Sequence, residues 1–153
     1  MNARVVPDFE DLLQLFDLRG VRALIVGGMA FIYHAKPRYT KDMDLWLDSD
    51  PENIDAANLA LRQFGSPDLL DPDDPDEVLQ IGAAPNRIDL LRNLEGVDFE
   101  VAWRRKIRGE YGSAPANWID LDSLIVIKSA IDHPRHREDA RILRQVRDMR
   151  KKS

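Results

Sequence analysis

The stretch from Ala23 to Asp48, ALIVGGMAFIYHAKPRYTKDMDLWLD, constrains the fold more than any other part of this 153-residue chain. It reads as an apolar strand at Leu24, Ile25 and Val26, a turn at Gly27-Gly28, a helix whose apolar face holds Met29, Ala30, Phe31 and Ile32, a break at Pro37, and a second strand. The second strand is expected to carry Asp42 and Asp44. Side chains alternate across a strand, so both carboxylates face one way while Met43, Leu45 and Leu47 face the other.

Two acids on one face beside a glycine turn outline a metal and phosphate site. A glycine pair before a helix lets backbone approach a ligand, and the first helical turn offers free N–H groups and partial positive charge to a phosphate. Carboxylates one residue apart on a strand can share two divalent cations about 3.5–4 Å apart, the arrangement that clamps attacking and leaving oxygens in phosphoryl-type displacements. Oxygen-only ligands favour Mg²⁺, with Mn²⁺ as an alternative, over zinc. Taken singly, each half has a plainer reading. Gly27-Gly28 could be an ordinary turn and Asp42-x-Asp44 a solvated strand edge; neither GxxxxGK[ST], GxGxxG nor a calcium loop is present. The order of strand, glycine pair and paired acids favours the site.

Before this stretch, Phe9, Leu12, Leu13 and Phe16 recur at helical spacing over Asp8 to Leu18, with Asp8 as N-cap after Pro7. After it, Asp50-Pro51 opens a helix with Ile54, Ala57, Leu61 and Phe64 on its buried face, ended by Gly65. Ser66 to Asp76 holds three prolines and five aspartates and reads as a solvated, mobile loop, since adjacent repelling carboxylates make a poor cation cage. Glu77–Ile81 and Asn86–Leu91 read as two strands of a hairpin across Gly82-Ala83-Ala84-Pro85. In the second, Ile88 and Leu90 face one way and Arg87, Asp89 and Leu91 the other. An aspartate inside an apolar strand is costly without a partner, and a plainer reading puts Asp89 at a sheet edge, paired with Arg87.

A helix near Asp98 to Lys106 turns Phe99, Ala102 and Trp103 inward, and Glu110-Tyr111 with Asn117-Trp118-Ile119 predicts a short hairpin. On the helix over Asp120 to Asp132, Leu121, Leu124, Ile125, Ile127 and Ile131 form an apolar arc with Lys128 near its middle; such a lysine either snorkels out or meets an anion. A last helix follows Pro134 with Ile142, Leu143, Val146 and Met149 on one face, Asp139 on the same stripe, and Arg141, Arg144, Arg147 and Lys151 outward. His34, His133 and His136 have no metal-ligand spacing, and packing or surface roles are expected for them.

A chain of this length is expected to form one domain over 1–153, with a core over 8–110 and a C-terminal helical part over 120–152, burying about 68–70% of its unfolded surface. Without cysteine there is no thiol nucleophile or disulfide, no apolar run is long enough for a bilayer, and the N-terminus lacks a leader pattern, so a cytoplasmic protein with no membrane partner is expected. A net charge of −5 argues against indiscriminate nucleic-acid binding, although base concentrates between Arg135 and Lys152.

Gly27-Gly28 followed by Arg38-x-Thr40-x-Asp42-x-Asp44, with hydrophobic residues at 43 and 45, resembles the signature of the polymerase-β-like nucleotidyltransferase superfamily, and within it the small prokaryotic proteins of abortive-infection and toxin/antitoxin systems. The resemblance implies an α/β nucleotidyltransferase fold: a small mixed sheet packed against helices, with further helices at the C-terminus. It implies Asp89 as a third carboxylate, acting as general base or metal ligand with Asp42 and Asp44, and Gly27, Gly28, Arg38 and Thr40 as phosphate contacts. Lys128, in an L-x-x-L/I-I/V-x-x-K string, is implied to compensate the triphosphate. The implied reaction is transfer of a nucleoside monophosphate from an NTP to a hydroxyl acceptor such as a tRNA end or a protein side chain. The alternative from another class is a non-catalytic antitoxin or regulatory partner with a cognate toxin. At the C-terminus Glu138 replaces the family's basic residue before Asp139, and no second Asp follows at 142 or 143. That leaves two roles for Asp139 open, in the site or as a brace for Lys128 or Arg137.

Overall fold

The computed structural model describes residues 5–83 and 85–152. Ala84, in the link expected between the two later strands, lies outside the described residues. The first helix, α1 (Pro7–Leu18), starts one residue before expectation, with Val6 as the extended residue ahead of it. Asp8 is therefore in the first turn and not the cap, because proline has no N–H to satisfy and its fixed φ suits the first helical position. There follow β1 (Ala23–Val26), α2 (Gly27–His34), β2 (Met43–Leu47), α3 (Pro51–Phe64), β3 (Leu79–Ile81), β4 (Ile88–Leu91), α4 (Phe99–Arg105), β5 (Ile107–Tyr111), β6 (Ala114–Trp118), α5 (Leu121–Ala130) and α6 (Pro134–Lys151).

The strands form one mixed sheet in the order β3-β4-β2-β1-β6-β5. β1 runs antiparallel to β2 and parallel to β6, β2 runs parallel to β4, and the β3/β4 and β5/β6 pairs are antiparallel hairpins. Both faces of the central strands are covered, so their sequences read as near-continuous apolar runs. On one face Ile25, Met43, Leu45, Leu47, Ile88 and Leu90 pack with Phe9, Leu12 and Phe16 of α1 and Ile54, Ala57 and Leu61 of α3. On the other, Leu24, Val26 and Trp46 pack with Ala30 and Phe31 of α2, Ala102 of α4, Leu124 and Ile127 of α5, and Leu143 of α6. Each fully buried side chain of this kind contributes about 1.5–3 kcal/mol.

Helix ends follow the expected chemistry in α3: the Asp50 side chain accepts from Glu52 N–H, and Gly65 closes the helix at a φ of 94°. Three expectations are corrected. Gly27 and Gly28 are the first residues of α2 rather than a separate turn. The segment 66–76 is pinned, not free: Leu70 is buried, Asn58 exchanges hydrogen bonds with the Leu70 backbone at 2.8 and 3.0 Å, and buried Arg92 reaches the Asp74 carbonyl and Glu77. Met149 is exposed, because α6 outruns the layer it packs on and only its middle, at Asp139, Ala140 and Leu143, is buried. No described helix is long and apolar enough to cross a membrane.

Candidate active site

β2 and β4 lie side by side and parallel, with Met43 opposite Ile88 and Asp44 opposite Asp89. This register puts the apolar partners into the core beneath and leaves both aspartates on the opposite face. Asp42 sits one residue ahead of β2, whose first residue, Met43, donates its N–H to the Arg87 carbonyl at 3.0 Å. The expected convergence of Asp42, Asp44 and Asp89 is thus made by strand pairing, since the third acid is 45 residues beyond Asp44 in the chain.

Arg87 stands among these acids. Its Nε donates to Asp89 Oδ1 at 2.9 Å, and Nη2 donates to Asp89 Oδ2 and Asp42 Oδ2, each at 3.1 Å. The partnership with Asp89 read from the sequence exists, but on an inner strand flanked by β2 and β3, not at a sheet edge. Among the described residues Asp44 makes no ion pair of this kind. Burial, then the charges of Asp89 and Asp42 and a hydrogen bond shared with Asp89, push its carboxyl up to about 6, against a smaller opposing pull from Lys128. Such crowding marks a place where an additional cation is favoured.

The glycines allow this crowding. Gly27, the first residue of α2, has a φ of 66°, and a Cβ there would overlap the Asp44 carboxylate outright. A Cβ at Gly28 would stand 2.8 Å from Thr40 Oγ1. Thr40 therefore packs on the start of α2, and Asp44 lies against its first residue. Among the described residues no side chain caps that helix, which leaves its first N–H groups available beside the acids.

Lys128 and Arg38 form a second cluster. Lys128 is 4% exposed; its Nζ donates to Asp139 Oδ2 at 3.0 Å and to His136 Nδ1 at 3.2 Å. Arg38 grips the same carboxylate with two bonds of 2.8 and 3.0 Å and lies 4.0 Å over the Phe31 ring. Both cations hold Asp139 below the ordinary carboxylate range despite its burial, and burial pulls Lys128 down. Asp139 thus braces Lys128, as one sequence reading allowed, and Arg38 rather than Arg137, which pairs with Asp132. His34, expected to pack, is buried with Nε2 donating to the Ile119 carbonyl at 2.7 Å.

Sequence reasoning missed two contacts here. Arg87 was legible only as a possible partner of Asp89, and its bond to Asp42 depends on the β2/β4 register. The Arg38–Asp139 pair joins residues 101 apart, and a charge pattern along the chain carries no signal for it. A pocket of about 450 Å³ is lined by chain neighbours of the acids, though by none of the three acids themselves. Thr40 and Lys41, just before Asp42, and Asn86, next to Arg87, line one side; Met29, Tyr33 and Trp118 line another, the last two stacked at 4.3 Å.

The donor set is three carboxylates with no nitrogen or sulfur ligand, and one cationic group already sits between two of them. That chemistry fits Mg²⁺ or Mn²⁺. Among the described residues no group of three or more histidines, cysteines or acids is placed to hold a metal ion as it stands, and the Arg87 guanidinium lies between Asp42 and Asp89.

No protein-family profile and no curated protein sequence matches the chain. Solved structures do. The lincosamide antibiotic adenylyltransferase LnuA, with lincomycin bound, superimposes with a TM-score of 0.60 at 15% identity over 94% of this chain and 99% of its own. ANT(2'')-Ia in complex with adenylyl-2''-tobramycin gives 0.54 at 16% identity over 93% and 92%. The solution structure of the antibiotic-resistance factor ANT(2'')-Ia gives 0.54 at 16% over 89% and 80%. With the layered mixed sheet and its register, these likenesses establish that the chain has the nucleotidyltransferase fold.

Proposed function

We propose that this protein is a metal-dependent nucleotidyltransferase that moves a nucleoside monophosphate from an NTP to a hydroxyl acceptor. The observation that carries this reading is the meeting of Asp42, Asp44 and Asp89 from adjacent parallel strands at the uncapped start of α2, within a nucleotidyltransferase fold. The acceptor oxygen bonds to the α-phosphorus as the bond to the β-phosphate oxygen breaks and pyrophosphate leaves. A divalent ion held by Asp42, Asp44 and Asp89 supplies charge neutralisation at the phosphoryl group when bound. Asp89 takes the acceptor's hydroxyl proton, and the N–H groups of Gly27 and Gly28 cradle phosphate. Lys128 and Arg38, two cations sharing the single carboxylate of Asp139, face the leaving pyrophosphate with net positive charge. Thr40 holds the start of α2 against the Asp42–Asp44 segment.

For the acceptor we favour a small hydroxyl compound. The pocket that Arg38, Thr40 and Lys41 line, next to Asp42 in the chain, has the volume of a small-molecule site and a partly aromatic wall. Two neighbours of this fold are, by name, antibiotic-modifying adenylyltransferases or resistance factors. A second reading keeps a tRNA or protein acceptor, or a toxin/antitoxin partner in which the domain only binds, and the basic face of α6 favours it. Much of that face is already engaged: Arg141 pairs with Glu138, Arg147 with Asp122, and Arg144 donates to Ser129 Oγ.

The test is incubation with Mg²⁺, each labelled NTP in turn, and three acceptor pools: hydroxyl-bearing antibiotics, total tRNA and cell protein. An Asp42→Ala/Asp44→Ala protein is the control. Label entering a small molecule, and lost in the control, is expected. Label in RNA or protein would move the acceptor to the second reading, and Mg²⁺-dependent NTP binding with no transfer to any pool would leave a binding protein.

A further inference from the structure

We infer that Arg87 is a built-in counter-cation that holds the place of the divalent ion, so that the metal loads together with the triphosphate and not ahead of it. The inference rests on the nucleotidyltransferase reading above and adds an order of binding to it.

The geometry is specific. The guanidinium takes both oxygens of Asp89 as a fork and reaches across to Asp42 with the same Nη2, so one planar cation spans two of the three proposed metal ligands. A divalent ion needs those oxygens at about 2.0–2.1 Å with their lone pairs turned onto itself. Ion and guanidinium cannot use them together.

Charge decides what displacement requires. Three carboxylates face one guanidinium, so the cluster keeps unbalanced negative charge, and Arg87 offsets only part of the charge on the two acids it touches while satisfying their hydrogen bonds. An ion arriving alone must expel Arg87 into water and forfeit those bonds. An ion arriving on a triphosphate brings the anion that the expelled guanidinium can grip. Arg87 is free to make that exchange: its side chain is one-third exposed, and its hydrogen bonds among the described residues go to Asp42 and Asp89 alone. Arg92, five residues on, shows the contrast, being buried and tied to Glu77 and to the Asp74 carbonyl.

Equilibrium dialysis of the full chain against Mn²⁺, with and without inorganic tripolyphosphate as a base-independent probe, tests this without any turnover. The competent fraction sets apparent affinity, so Arg87→Gln is expected to bind Mn²⁺ alone at least about tenfold more tightly than the unaltered protein and to gain less from tripolyphosphate. Arg87→Lys, which keeps the charge but loses the fork, is expected to fall between them; it also serves if the Gln protein does not fold. Arg87→Gln binding Mn²⁺ alone no more tightly than the unaltered protein would overturn the inference, as would an Arg87→Lys protein identical to the unaltered one, which would reduce the effect to distant charge. In both cases Mn²⁺ binding lost in Asp42→Asn would leave the metal site itself standing. Absence of Mn²⁺ from every protein, with and without tripolyphosphate, would remove the metal reading and this inference together.

Discussion

Two charged clusters lie on the same side of the sheet, and their charges are unbalanced in opposite directions. At Asp139 one carboxylate serves two cations, Lys128 and Arg38, and the lysine and the aspartate are each about 5% exposed at the side chain. At Asp44 three carboxylates face one cation, Arg87, and that cation and Asp42 are about one-third exposed. The first is a brace: it ties α6 to α5 and to the segment after α2, and its acid is stabilised as the anion. The second is short of positive charge, and its central acid is raised to about 6. Neither cluster is balanced: the first keeps one positive charge in excess and is held by buried bonds, while the second keeps negative charge in excess and awaits a cation.

Breaking the brace is expected to have the largest effect. Asp139→Asn leaves two cations, one of them buried, without their anion, and urea unfolding should show a loss of about 3–5 kcal/mol. A loss below about 1 kcal/mol would mean that water or His136 substitutes for the carboxylate, and the contrast between clusters would collapse.

The opposite signature is expected at the site. Asp44→Asn should lower nucleotide transfer by about 10²–10³-fold, a typical cost of removing one electrostatic contributor. The same change should not lower the stability of the metal-free protein at pH 7.5, and should raise it: a carboxyl whose folded pKa is raised is destabilised as the anion above that pKa. If thermal unfolding of Asp44→Asn came lower than that of the unaltered protein, Asp44 would belong with the brace.

A smaller effect is expected at the joint between α2 and the acids. Gly27→Ala forces a side chain into a left-handed conformation, at about 1–2 kcal/mol, and pushes on Asp44. Gly65→Ala, also at positive φ but with open space around it, should match the stability cost and spare activity. Equal activity losses in the two variants would show that backbone strain, and not the approach of Asp44, matters at Gly27.

The smallest effect concerns pH. Burial lowers His34, whose Nδ1 has no hydrogen-bond partner among the described residues, so the unfolded chain takes up a proton first as pH falls. Stability linked to His34 is therefore present above pH 6.5 and is lost below it, with a slope of at most about 1.4 kcal/mol per pH unit. His34→Gln keeps a donor for the Ile119 carbonyl and should flatten the fall in unfolding temperature between pH 7 and 5. An unchanged slope would assign the acid sensitivity elsewhere, His136 being next in line since burial and Lys128 also lower it.

Much of the site could be read along the chain because its parts are local. Gly27, Gly28, Thr40, Asp42 and Asp44 fall within 18 residues of one another, and alternation along a strand is enough to place Asp44 opposite the core-facing Met43 and Leu45. Asp89 was legible as an acid out of place in an apolar strand with Arg87 as one candidate partner, but its register opposite Asp44 was not. The acidic loop was misread because composition reports its solvation and not its anchors, Asn58, Arg92 and Asn93, which come from other segments.

The sequence by itself determined the elements, the two-faced burial of the central strands and the identity of the acids, since propensity, periodicity and glycine placement act over a few residues. Tertiary structure alone decided which charges meet. The register of β2 against β4 brings Arg87 onto Asp42 as well as Asp89, and the docking of α6 takes Asp139 to Arg38 and Lys128 rather than to Arg137. Coulombic and hydrogen-bond energies depend on distances of a few ångströms between residues tens of positions apart, and those distances exist only once the layers have packed.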